Sequence, residues 1–176
     1  MLWLSIILRN FAGILEVTVI PIIKFELPPN YEAIRRAFDL IGQRPIFAFS
    51  PYIYNPHCVE IGPELIAHEQ VHITRQGALP ATWWESYIAD ENFRLAEEIL
   101  ARVAEYLVLT NASTRQQRRQ VFNTMAKRLR APLYGYKPTL SEERSKKLLK
   151  MALREGVKLT ASSFEGEPIN ANAWTP

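Results

Sequence analysis

The chain has a single cysteine, Cys58, so no disulfide can form within it and its redox compartment cannot be read from cysteine usage. It has no run of the 18 or more apolar residues that a membrane-spanning helix needs. Residues 1–8 are almost all apolar but stop at Arg9, and the apolar residues 11–15 stop at Glu16. No positive segment precedes them, so a secretory signal is not expected. This stretch is expected as a core strand or helix, with a hydrophobic anchor as the alternative. No internal repeat, domain linker or nucleic-acid reader motif is visible, which argues against a nucleic-acid partner. Histidine is scarce too: there are three, and two of them stand four residues apart.

What is present suits one globular domain. A length of 176 residues, 48 % of them hydrophobic and 22 % charged, is enough to bury a real core. The net charge of +3 is unevenly placed: residues 1–90 hold 6 Lys/Arg and 9 Asp/Glu, and residues 91–176 hold 15 and 9. Arg115, Arg118, Arg119, Lys127, Arg128 and Arg130 are expected to form a solvated helix face.

The expected elements follow from local pattern. Residues 16–26 (EVTVIPIIKFE) read as a strand with an edge or bulge at Pro21. Residues 31–41 read as a helix closing at Gly42, and 45–50 (PIFAFS) as a short strand. Residues 51–56 (PYIYNP) read as a turn before a second strand near 58–61. Gly62-Pro63 opens a helix that Gly77 and Pro80 end. A long helical span covers 81–109, with Asp90 capping a fresh helix inside it. Residues 115–130 form a third helical run. Thr139 and Glu142 have capping-box spacing for a last helix ending at Gly156. The domain is expected to span 1–156, with 157–176 as a tail.

The helix opened by Gly62-Pro63 carries His68-Glu69-Gln70-Val71-His72. Two histidines four apart lie about 40° apart around a helix, so both rings leave one face, one turn apart. Two neutral imidazoles so placed can bind one zinc ion. Glu69, beside the first of them, is then placed to take a proton from zinc-activated water and pass it to a leaving amine. The pattern points to a zinc hydrolase acting on peptide-type bonds.

Catalytic zinc usually takes three protein ligands. His57 and Cys58 are near in sequence, but a small buried cysteine is the simpler reading there. Glu91, Glu97, Glu98 and Glu105 follow on the next helix, and Glu91, Glu98 and Glu105 share a stripe at seven-residue spacing. Most must be solvent-facing charges. Ala101, small and three residues after Glu98, allows close helix approach and favours Glu98.

Residues 46 to about 148 resemble the zincin-like metallopeptidases of bacteriophage and prophage genomes, small relatives of the gluzincins. The resemblance rests on Ile53-Tyr54-Asn55-Pro56 and on Leu65-Ile66-Ala67 leading into the histidine motif. Arg75-Gln76, Trp84 and Tyr87 extend it, as do Phe93-Arg94-Leu95-Ala96-Glu97-Glu98 with Ala101, and Pro132-Leu133-Tyr134-Gly135. Leu100 and Arg102 depart from the usual pattern. The resemblance implies His68, His72 and Glu98 as zinc ligands and Glu69 as general base.

The expected fold is α+β and zincin-like: a small, largely antiparallel sheet packed on the motif helix, then a helical C-terminal half. An extended peptide, from protein or peptidoglycan, would add to the sheet edge. Tyr134 or Tyr106 would steady the oxyanion. The expected setting is a phage virion, with other phage structural proteins as partners, or the bacterial host cytoplasm. The alternative is a catalytically silent assembly protein of a phage particle on the same fold.

Overall fold

The computed structural model describes residues 21–131 and 140–154. The N-terminal apolar stretch, residues 132–135 with Tyr134, the Thr139 cap and the tail 157–176 lie outside them. The described residues form an α+β arrangement. In chain order the elements are β1 (Ile22–Lys24), α1 (Tyr31–Ala37), β2 (Phe47–Phe49), β3 (Tyr52–Tyr54), α2 (Pro63–Gln76), α3 (Pro80–Ala89), α4 (Glu91–Thr110), α5 (Arg115–Arg128) and α6 (Glu142–Arg154). Among them no helix is long and apolar enough to cross a membrane.

The sheet is mixed, where a largely antiparallel one was expected. β3 is central; it runs antiparallel to β2, with Ala48 opposite Ile53, and parallel to β1, with Ile23 opposite Ile53. The parallel pair arises because the chain leaves β1 through α1 before it returns, as parallel strands require a crossover. β3 itself lies where a turn was expected. Tyr52, Ile53 and Tyr54 have high strand propensity. The reversal falls one step earlier, at Ser50-Pro51, whose peptide is cis. The expected strand at 58–61 does not form. Asn55 holds that segment as a loop, donating to the Val59 carbonyl at 2.8 Å and accepting from its N–H at 3.0 Å. Cys58 in that loop is exposed and not buried.

The helix boundaries follow their capping chemistry. Gly62 caps α2, Pro63 takes a first-turn position where its missing N–H costs nothing, and Gly77 ends the helix at φ 50°. Asp90 accepts from the N–H groups of Asn92 and Phe93, starting α4 directly after α3. Thr114 and Gln117 form a reciprocal capping box on α5. Helix α1 stops at Ala37, short of the expected Gly42, because Phe38 is already extended. On α6, Ser141 accepts from the Arg144 N–H.

Alternation along the strands divides the core around the sheet. Phe47 and Tyr54 pack with Ile34, Trp83, Trp84 and Tyr87; Ala48 and Ile53 pack with Ile73 of α2. A third cluster joins Ile99 and Val103 of α4 to Met125, Ala126 and Leu129 and to Leu148, Leu149 and Ala152 of α6. Each buried Ile, Leu or Met there contributes about 1.5–3 kcal/mol relative to exposure. α4 is therefore central. Its apolar face meets α5 and α6, while the opposite face lies along α2 and buries Glu97, Glu98, Arg102 and Glu105. Ala101, fully buried, leaves room for the two helices to approach.

Candidate metal centre

Burying that many charges requires compensation. Arg75 of α2 donates two hydrogen bonds to Glu97, making a bidentate bridge between the helices. This removes Glu97 from contention as a ligand. Glu91, at the start of α4, is only half-buried. Glu98, one helical turn below Arg94, instead faces the motif histidines.

His68 and His72 are buried, and their rings stand edge to face with centroids 5.0 Å apart. Both Nε2 atoms face the same carboxylate: His72 Nε2 lies 3.3 Å from Glu98 Oε1, and His68 Nε2 lies 3.7 Å from Glu98 Oε2. One donor atom from each of the three residues lies within 4.8 Å of the others. Ligand atoms on a tetrahedral ion at about 2.1 Å stand roughly 3.4 Å apart. The group is thus spaced to hold a metal ion.

The hydrogen bonding fits an ion as well. Tyr87 Oη donates to Glu98 Oε1 at 2.7 Å. Among the described residues Glu98 Oε2 is buried with no hydrogen-bond partner, Arg102 Nη2 standing 3.8 Å away, at odds with the general rule that buried polar atoms are satisfied. A cation between the histidines and Oε2 would satisfy it. Two imidazoles and a carboxylate suit a divalent transition metal ion.

The electrostatics are those of a charged site out of water. Burial pushes the Glu69 carboxyl up to about 7. Burial, with Arg102 nearby, holds the His68 imidazole down at about 4. For His72, burial opposes the charge, but the carboxylates of Glu98, Glu69 and Glu97 outweigh it and raise its pKa. Burial likewise opposes ionisation of Glu98, yet His72, His68 and Arg102 hold it well below the usual carboxylate range.

These groups form the floor of a cavity of about 90 Å³, room for several waters or one side chain. Glu69 lines it with His68, His72 and Glu98. Its walls are apolar: Ile34, Phe38 and Leu40 on one side, residues 45–48 along the sheet, and Trp83, Trp84 and Tyr87 from α3. Trp83 stacks on Tyr87, centroids 4.8 Å apart, and lies 5.4 Å from the His72 ring. Comparisons of the chain with protein families, curated proteins and solved structures found no match.

Sequence reasoning had named His68, Glu69, His72 and Glu98, and the fold brings all four to one cavity. Tyr134 lies outside the described residues. Tyr106 is placed elsewhere: its ring packs on Phe122 in the helical cluster, with centroids 6.3 Å apart. The tyrosine at the site is Tyr87. The sequence named it only as part of a resemblance, although its position on a Trp-rich helix preceding the glutamate helix was a usable signal.

The edge of β2, the strand packed on α2, is partly occupied. Gln76 Nε2 and Trp84 Nε1 both donate to the Ala48 carbonyl at 2.9 Å, and Gln76 Oε1 accepts from the Ser50 N–H at 2.7 Å.

Proposed function

We propose that the chain is a zinc-dependent metallopeptidase, gluzincin-type, of the phage and prophage group its motifs resemble. His68, His72 and Glu98 would hold the zinc ion. Bound there, zinc supplies a Lewis acid that polarises a carbonyl and lowers the pKa of water.

The remaining work falls to the chain's own residues. Glu69, which lines the cavity with His68, His72 and Glu98, is placed to accept a proton from water and return it. Water oxygen bonds to the carbonyl carbon, the C–N bond breaks, and the proton held on Glu69 goes to the departing amine. Tyr87 fixes the Glu98 carboxylate by donating to its Oε1. The walls beside it, from Trp83, Trp84, Phe38 and Ile34, are apolar. An extended peptide would lie along residues 45–47. By the same resemblance, the setting is a virion component whose substrate is peptide, free or in peptidoglycan.

The Glu98 carboxylate, buried against both histidine Nε2 atoms with no hydrogen bond to its Oε2 among the described residues, carries this reading. Protein purified without chelator should contain about one zinc per chain. Zinc-loaded protein should cleave unfolded protein or peptidoglycan peptides, and metal-stripped protein should not. No zinc on purification and none on re-addition would overturn the proposal. Zinc without cleavage would leave a silent assembly protein on the same fold.

A further inference from the structure

Glu105 lies two helical turns beyond Glu98 on the same face of α4 and is fully buried. Arg102 Nη1 donates to its Oε2 at 2.5 Å, and Arg128 of α5 donates to its Oε1. Two guanidinium groups thus hold the carboxylate in place. Its Oε2 stands 3.5 Å from His68 Nδ1. That nitrogen is buried and has no hydrogen-bond partner among the described residues. His68 is therefore flanked by two carboxylates: Glu98 on the Nε2 side, and Glu105 on the Nδ1 side.

A neutral imidazole has one N–H, and the nitrogen without it carries the lone pair that can bind a metal. From this geometry we infer that Glu105 is a positioning residue for the metal centre. It accepts the Nδ1–H of His68 and so commits the Nε2 lone pair to the cation. The inference rests on the metal-centre reading proposed above. It also gives Arg128 a role beyond surface charge. Although half-exposed, Arg128 reaches from α5 to the carboxylate that orients His68.

The arrangement matches a general property of metal-bound histidines, whose second nitrogen donates to a carboxylate or carbonyl. Loss of that partner typically weakens metal binding about 10–100-fold. A carboxylate with a merely structural role would affect folding but not the choice of His68 tautomer.

The test is nitrogen NMR of the imidazole rings in metal-free protein near neutral pH, joined to zinc titration against a chelator. His68 in the unaltered chain should be the Nδ1–H tautomer; the Nε2–H form would overturn the inference whether or not the protein binds zinc. Glu105→Ala, with its fold checked by circular dichroism, should lose the tautomer preference and bind zinc about 10–100-fold more weakly. Glu105→Gln keeps an acceptor oxygen and should restore the tautomer and most of the affinity. Zinc affinity unchanged in Glu105→Ala would sink the inference and leave the metal centre standing. An unaltered chain that takes up no zinc would remove the metal reading, while the tautomer would still report on Glu105.

Discussion

The Tyr87 hydroxyl and the Glu98 carboxylate share a 2.7 Å hydrogen bond that divides the two oxygens of Glu98. Oε1 accepts from the phenol and also lies 3.3 Å from His72 Nε2, while Oε2 faces His68 Nε2 at 3.7 Å and Arg102 Nη2 at 3.8 Å. Tyr87→Phe keeps the ring stacked on Trp83 and removes only the donor. Such a bond to a charged group contributes about 1.5–3 kcal/mol. Zinc affinity should fall roughly 10-fold or more, read by competition with a chelator. Unchanged affinity would mean that Glu98 is held by helix packing alone.

Glu69→Gln separates chemistry from binding. The variant should keep its zinc and lose about 10²–10⁴-fold in peptide hydrolysis, because in the proposed mechanism Glu69 is a base and not a ligand. Loss of zinc in the variant would reassign Glu69 to the ligand set.

The same residue makes a stability prediction for the metal-free protein. A carboxyl raised from 4.5 to about 7 binds more protons folded than unfolded between those values. Its contribution is therefore fully present below pH 4.5 and is lost as pH rises through 7. Glu69→Gln lacks that loss. The melting temperature of the variant, relative to the unaltered chain, should climb from pH 4.5 to 7 and then level off. A flat difference would show that Glu69 is hydrated in the folded state.

Arg75 and Glu97 make a distinct prediction. Glu97→Ala leaves a buried guanidinium without its bidentate partner. Breaking such a pair costs about 3–5 kcal/mol. Thermal denaturation should show a large drop in melting temperature, while zinc stoichiometry in the cold remains about one. Loss of zinc from cold, folded variant would place Glu97 in the site.

The legible parts of the fold were those set by local chemistry. Gly62-Pro63, Gly77 and Asp90 mark helix ends within a few residues, and the chain ends its helices there. The histidine pair is a relation of four residues along one helix. Glu98 needed one step more, through the small Ala101 that lets α4 approach α2. What escaped depends on pairing across distance. The parallel β1–β3 register needs the whole crossover through α1, and β3 was hidden because its flanking prolines resemble a turn. Tyr87 reaches Glu98 only because α3 folds back against α4, a corner held by Arg94 donating to the Tyr87 carbonyl at 2.6 Å. Glu105 was visible on the stripe with Glu98, but its role needed Arg128 from another helix.

Gln76 ends the sheet. Its side-chain amide offers β2 one N–H and one C=O in the places where a fourth strand would offer its own. A single residue of α2 thus stands in for a neighbouring strand, four positions after His72 on the same helix. The rigid element that carries the histidines also decides where any incoming chain must stop pairing with the sheet. Sheet width and distance to the histidines are set by one helix, so on the proposed reading a peptide aligned against β2 would be measured from the same ruler that would place the metal ligands.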